Sequence, residues 1–164
     1  MTHLESIQSK IFTNQTIPYW LSVVRLKNKK IVFTNGCFDI LHQGHIDYLA
    51  KAADMGNALV VGVNSDASVK KLNKGDSRPI QNQNSRALVI AALHFTTAVI
   101  IFEEDTPLEL IKLVQPHVLV KGADWKVEDI VGYDSVKAKG GEIKTIEYLQ
   151  GYSTTSIESK IKNS

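Results

Sequence analysis

The sequence lacks the features that mark several large classes of protein. Its 164 residues include a single cysteine, Cys37, which excludes an intrachain disulfide. No apolar run is long enough to cross a membrane, and the first ten residues carry no hydrophobic signal core. The formal net charge of +2 is too small to favour a nucleic-acid surface. We therefore expect a cytoplasmic protein that binds neither a membrane nor a nucleic acid.

Internal repeats, low-complexity segments and a P-loop are also missing. No GxxxxGK[ST] pattern occurs, and this disfavours a P-loop kinase. The length suits one domain with a substantial core.

Short apolar runs alternate with helical patterns from about residue 30 onward. The runs are too short for free helices and predict strands at 31–34, 58–63, 98–102, 118–120 and 143–146. Such alternation implies a parallel sheet with right-handed crossovers. We predict an α/β, Rossmann-like three-layer fold with a five-stranded, mainly parallel sheet. The residues before Lys30 are predicted to form one or two helices, in part because Ile7 and Ile11 are four apart.

Two histidines flank a glycine where the first of these strands gives way to a helix. The N-terminus of a helix attracts anions, and Gly44 would let a phosphate approach the backbone closely. His42 and His45 are three residues apart, so they would project on the same side of the first turn. This pattern indicates a phosphate clamp. The alternative is that one histidine only caps the helix or packs in the core.

A cluster of hydroxyl residues, Ser153, Thr154 and Thr155, precedes the last predicted helix. Hydroxyls and free N–H groups at a helix start would form a second anion site. The alternative is an ordinary N-cap. The spacing of Thr155 and Glu158 also predicts a capping box.

The candidate site segments all follow predicted strands. Ligands of parallel sheets bind beyond the carboxyl ends of the strands, so these segments favour one composite pocket. They are 35–45, 64–66, 121–125 and 151–155.

Taken in order, these and two further motifs resemble a known family. The segments are FTNGCFDILHQGH, VVGVNSDASVKKL, SRPI, FEEDTPLELI, VLVKGADW and GYSTTSI, and they span most of residues 30–161. They resemble the nucleotidyltransferases with an HxGH motif, and within these the adenylyltransferases that make ADP-heptose. On this basis we divide the chain into an N-terminal helical extension, 1–29, and a nucleotidyltransferase domain, 30–164.

The resemblance implies an activity and its partners. The reaction would be the transfer of AMP from ATP to a heptose 1-phosphate, giving ADP-heptose and pyrophosphate for lipopolysaccharide or surface-glycan precursors. Mg²⁺ would accompany ATP, although the sequence identifies no protein ligands for the metal. A separate heptose 7-phosphate kinase would act earlier in the pathway, and the resemblance allows a homodimer.

The resemblance also implies roles for individual residues. Catalysis would use His42, His45 and Lys74. Nucleotide binding would use Thr34, Asn35, Gly36, Phe38, Gly44, Lys121, Gly122, Asp124, Trp125, Ser153, Thr154 and Thr155. The sugar-phosphate substrate would meet Asp39, Asn64, Lys71, Arg78 and Arg86.

The sequence departs from the cytidylyltransferase pattern in one respect. Those enzymes carry an arginine shortly before the hydroxyl cluster, whereas residues 147–150 here contain none. Lys121 could substitute for it, and heptose-type enzymes share this departure. Three alternatives stay open: a cytidylyltransferase acting on glycerol 3-phosphate or choline phosphate, a pantetheine-phosphate adenylyltransferase, and a non-catalytic nucleotide-binding protein.

Overall fold

Six parallel strands form one sheet through the middle of the protein. The computed structural model describes residues 1–72 and 78–163. The order across the sheet is β1-β4-β3-β2-β5-β6, and every strand pairing is parallel. The strands are β1 (Ile11–Phe12), β2 (Ile31–Gly36), β3 (Ala58–Asn64), β4 (Thr96–Phe102), β5 (Val118–Gly122) and β6 (Glu142–Ile146).

Helices connect these strands. They are α1 (His3–Gln8), α2 (Ile17–Leu26), α3 (Gln43–Ala53), α4 (Asp66–Lys71), α5 (Gln83–Ala92), α6 (Leu108–Val114), α7 (Tyr133–Ala138) and α8 (Thr154–Lys162), with a short 3₁₀ helix at Val127–Asp129. Within the described ranges, none of them combines the length and the apolar character needed to span a bilayer.

Two apolar clusters, one on each face of the sheet, give the protein its three layers. Helices α3 and α5 cover one face, where Leu49 and Ile90 are fully buried. Helices α2, α6 and α7 cover the other, where Leu21 and Ile111 are buried. All seven residues of β3 are buried, as expected for a parallel strand covered on both faces. The predicted three-layer α/β fold is therefore confirmed.

The order of the strands reverses between β2 and β5. The chain runs outward from β2 through β3 to β4, and then returns to place β5 on the other side of β2. Val32 pairs with Val118, and Phe33 with Leu119. A reversal of this kind opens a crevice at the carboxyl ends of the two strands, where ligands of such sheets bind.

The number of strands is one more than predicted. All five predicted strands are present, but Ile11, predicted to be helical, lies in β1 and pairs with Val99. A strand of two residues has no periodicity to detect, so the spacing of Ile7 and Ile11 was misleading. Helix α2 also buries Ile17 and Leu21 in the core. The division of the chain at residue 29 stays a prediction.

Candidate active site

The turn between β2 and α3 brings the two histidines together. Phe38 adopts a left-handed backbone conformation with φ 50°, which redirects the chain after the strand. His42 occupies the N-cap position of α3 and is extended, and its carbonyl accepts a hydrogen bond from the His45 N–H at 2.9 Å. The two imidazole rings are stacked, with centroids 3.9 Å apart and planes inclined by 23°. The predicted pair therefore exists as a unit at the start of a helix.

The surroundings of His42 suit an anionic ligand. Its side chain makes no capping bond, and its buried Nδ1 has no hydrogen-bond partner among the residues that the structure describes. Burial lowers the pKa of His42 and so favours the neutral ring. A phosphate beside the ring would favour the charged form. A Cβ at Gly44 would lie 3.1 Å from the ring and 3.2 Å from Cβ of Tyr152, so a side chain there would crowd this site.

A first cleft, of about 590 Å³, separates these histidines from the start of α8. Ser153 is the N-cap residue of α8, and its Oγ accepts a hydrogen bond from the Ser156 N–H at 3.0 Å. The capping box predicted for Thr155 and Glu158 is wrong, because the helix begins two residues earlier than that box requires. The cleft is lined by Cys37, Phe38, Asp39, His42, His45, Val69, Arg78, Tyr148, Tyr152, Ser153, Thr154 and Thr155.

A second cleft, of about 320 Å³, opens at the strand-order reversal. Lys121, at the end of β5, donates a hydrogen bond to Oδ1 of Asn35, near the end of β2. Burial lowers the pKa of Lys121 to about 8. Cys37 lines both clefts, so the two adjoin at this residue. The second cleft is lined by Asn35, Gly36, Cys37, Asn64, Leu72, Asp105, Thr106, Pro107, Lys121, Trp125, Ile130 and Val131.

Asp39 anchors the segment that follows residue 77. Its buried carboxylate accepts hydrogen bonds from the backbone N–H groups of Ile80 and Gln81, each at 2.9 Å. It also pairs with Arg78 at 3.3 Å, and the side chain of Arg78 is only 9% exposed. Both residues line the first cleft, but the carboxylate oxygens of Asp39 already accept bonds from protein donors.

Arg86 is buried and bonded to protein groups in three directions. Its guanidinium donates to the carbonyls of Gln81 at 3.0 Å and Cys37 at 2.6 Å, and to Asp66 at 2.8 Å. It lines neither cleft. These contacts hold the peptide of Cys37, which lies where the clefts adjoin. The predicted contact between Arg86 and the substrate stays a prediction, and the geometry gives the residue a positioning role.

The chain matches the cytidylyltransferase-like family model over residues 33–160. The chain belongs to this family. It is 56% identical over 135 residues to the bifunctional protein HldE of Campylobacter concisus, a match that covers 82% of the chain and 28% of the relative. It is 47% identical over 163 residues to the HldE of Wolinella succinogenes, covering 99% of the chain and 33% of the relative. The chain thus spans about a third of the length of these relatives.

Solved structures share the fold. A lipopolysaccharide core biosynthesis protein from Thermoplasma volcanium superimposes with a TM-score of 0.62 at 29% identity, covering 76% of this chain and 99% of that one. A pantoate-β-alanine ligase from Francisella tularensis superimposes with a TM-score of 0.57. At 16% identity, covering 93% of this chain and 76% of that one, it shows the likeness of fold alone.

The structure divides the predicted site residues between the two clefts. The first cleft gathers Phe38, the histidines and the hydroxyl cluster, together with Asp39 and Arg78. The second gathers Asn35, Gly36, Asn64, Lys121 and Trp125. This division differs from the predicted one, because each cleft contains both residues predicted to bind the nucleotide and residues predicted to bind the sugar phosphate. In particular, Lys121 lines the second cleft, whereas the hydroxyl cluster lines the first. The placement of Lys121 therefore does not favour it as a substitute for the missing arginine.

Thr34 and Lys71, two further predicted residues, lie next to residues of the clefts. Thr34 shares a buried hydrogen bond of 2.8 Å with the hydroxyl of Tyr48. Lys71 forms an exposed ion pair with Asp105, a residue of the second cleft, at 2.7 Å. Lys74 lies outside the described residues.

Tyr148 is a wall residue that the sequence reasoning missed. It lines the first cleft and packs so closely over Gly122 that a side chain at 122 would collide with it. Burial raises the pKa of Tyr148, and the charge of Asp124 and its hydrogen bond with the tyrosine act in the same direction. Tyr148 lies within residues 147–150, the segment that lacks the arginine of the cytidylyltransferase pattern.

Proposed function

We propose that this protein is a nucleotidyltransferase that transfers AMP from ATP to a heptose 1-phosphate, releasing pyrophosphate and ADP-heptose. The observation that carries the proposal is the stacked His42–His45 pair, which faces Thr154 and Thr155 across the first cleft. Two helix starts converge there, and each offers N–H groups and a favourable dipole to an anion. The kinship with HldE proteins supports the choice of substrates.

The first cleft suits the triphosphate of ATP. It combines two imidazoles that can become cationic, three hydroxyl side chains and the guanidinium of Arg78. A polyphosphate spreads its negative charge over several oxygens, and the hydrogen-bond donors of this cleft lie on both of its walls. The aromatic rings of Tyr148 and Tyr152 offer faces against which a base can stack.

The second cleft suits the sugar phosphate. The ammonium of Lys121 can meet its phosphate, and the carboxamides of Asn35 and Asn64 can bond its hydroxyls. Trp125 adds an apolar face that is half exposed. This assignment moves Asn35, Gly36, Lys121 and Trp125 from the nucleotide to the acceptor.

The chemistry is a direct displacement at phosphorus. A phosphate oxygen of the sugar 1-phosphate attacks the α-phosphorus of ATP and forms the new P–O bond. The bond between the α-phosphorus and the oxygen bridging to the β-phosphorus breaks, and its electron pair leaves with pyrophosphate. The protein contributes alignment of the two phosphates and positive charge where the oxygens gain negative charge. His42 and His45 supply that charge in this scheme.

Mg²⁺ would enter with the nucleotide rather than on a protein cage. Among the described residues, no group of three or more His, Cys, Asp or Glu side chains could hold a metal ion. Mg²⁺ commonly binds through substrate phosphates with few protein ligands. We assign the reaction to the cytoplasm and its product to lipopolysaccharide or surface-glycan precursors.

Pyrophosphate release tests the proposal. The values of kcat/KM are compared for ATP and CTP, each with a heptose 1-phosphate and with glycerol 3-phosphate. We expect ATP with the heptose 1-phosphate to give the highest value. A higher value for CTP with glycerol 3-phosphate would place the protein among the cytidylyltransferases. Nucleotide binding without pyrophosphate release from any pair would favour the non-catalytic alternative.

A further inference from the structure

Helix α8 carries the hydroxyl cluster, yet it contributes little to the core. None of its nine residues, all of them described, is buried. Its first turn nevertheless has to face the histidines across the first cleft. A polar contact must therefore help to fix the helix, because apolar burial supplies little.

Glu158 makes such a contact. Its carboxylate accepts two hydrogen bonds from Arg78, from Nε at 3.1 Å and from an Nη at 2.6 Å. The side chain of Glu158 is 17% exposed and that of Arg78 is 9% exposed, so water screens the pair weakly. Two parallel bonds between a guanidinium and a carboxylate also fix direction, which one bond does not.

Arg78 is in turn fixed from its other side by Asp39 at 3.3 Å. Asp39 follows β2, and its carboxylate also accepts backbone N–H bonds from Ile80 and Gln81. A continuous polar chain thus runs from the loop after β2, through Arg78, to α8. The hydrogen bonds of Arg78 to Glu158 and Asp39 use three of its five N–H groups, and the residue lines the first cleft.

We propose that Glu158 is a positioning residue, which holds α8 through Arg78 so that Thr154 and Thr155 face His42 and His45. Glu158 is four residues beyond Thr154 and three beyond Thr155, so all three project from one side of the helix. The two-bond pair of Arg78 and Glu158 therefore holds the side of α8 that carries the hydroxyls of Thr154 and Thr155. The proposal rests on the proposed function only in taking the first cleft as the nucleotide site.

Nucleotide affinity gives the test, with no acceptor sugar present. ATP binding is measured by titration calorimetry for wild-type protein and for Glu158→Ala, Glu158→Gln and Ser159→Ala. Losing hydrogen bonds to a charged group should weaken ATP binding about tenfold in Glu158→Ala. Glu158→Gln keeps the shape and one acceptor oxygen, so it should recover part of the affinity. Ser159 is an exposed neighbour on the same helix, so Ser159→Ala should bind ATP with the affinity of the wild type.

A double-mutant cycle separates positioning from plain stabilisation. Thr154→Ala should weaken ATP binding in the wild-type background and have a smaller effect in Glu158→Ala, because the hydroxyl is already misplaced there. Unchanged ATP affinity in Glu158→Ala, with only a lower Tm, would overturn the proposal. Tighter ATP binding in Glu158→Ala would also overturn the proposal, because it would mean that Glu158 competes with the phosphates of ATP for Arg78 in the wild-type protein. Failure of the heptose substrate alone would reject the proposed function and leave this test intact.

Discussion

Replacing Arg86 with alanine distinguishes two roles for this residue. The family resemblance implies that Arg86 meets the substrate, whereas the structure gives it three protein acceptors and almost complete burial. Arg86→Ala removes the side chain that donates hydrogen bonds to the carbonyls of Cys37 and Gln81 and that forms the ion pair with Asp66. We expect a loss of stability first, and a loss of activity only as a consequence of it.

The size of that loss follows from the contacts. Removing one member of a buried ion pair costs about 3–5 kcal/mol. The side chain of Asp66 is 35% exposed, so water can partly replace the arginine, and we expect about 3 kcal/mol. For a chain of this size, each kcal/mol lowers Tm by roughly 2–4 °C, so the expected decrease is about 6–12 °C.

Urea denaturation and thermal melting of matched variants measure the effect. Arg86→Lys keeps the charge but cannot reach all three acceptors, so its stability should lie between those of the wild type and the alanine variant. Arg25→Ala is the control, because Arg25 is exposed and its side chain donates a hydrogen bond to the Val114 carbonyl at 2.6 Å. It should cost less than about 1 kcal/mol. An Arg86→Ala protein of wild-type stability with a raised KM for the sugar phosphate would refute the positioning role.

Two further predictions concern the reaction itself. His45→Ala should keep the fold and lower kcat by about 10²–10³, the usual cost of one preorganised transition-state donor, while His94→Ala, an exposed histidine elsewhere, should be neutral. Near-normal kcat in a folded His45→Ala protein would remove His45 from the mechanism. Because burial lowers the pKa of Lys121 to about 8, its ammonium is lost above that pH, and kcat/KM for the sugar phosphate should fall there. Lys121→Arg should move this fall to higher pH, and a flat profile to pH 9.5 would argue against contact between Lys121 and the acceptor phosphate.

The core of the site could be predicted because its signals are local. The histidine pair around Gly44 and the hydroxyl cluster of Ser153, Thr154 and Thr155 are short patterns, and each follows a strand. Parallel strands end at one edge of the sheet, so the topology alone brings the two patterns together. The same reasoning predicted that the segments beginning at Asn35 and Lys121 would share a pocket, and in the structure Lys121 donates a hydrogen bond to Asn35.

The rest depends on partners that are distant in sequence. Arg86 resembles a ligand-binding cation until its bonds to Cys37, 49 residues earlier, and Asp66, 20 residues earlier, are known. Glu158 fits a capping box locally, but it pairs with Arg78, 80 residues away. The short strand β1 is defined by its pairing with β4, which no local pattern contains. The division into two clefts, both lined by Cys37, likewise depends on how segments distant in sequence pack together.

The fate of the α-phosphate tests the central claim most directly. The protein is incubated with a heptose 1-phosphate and ATP labelled at the α-phosphorus, and the products are separated and identified by mass. The proposal predicts that the label moves into ADP-heptose and that pyrophosphate forms in equal amount. Label that remains in ATP, or that appears in AMP with or without the sugar phosphate, would contradict the transfer of AMP to a heptose.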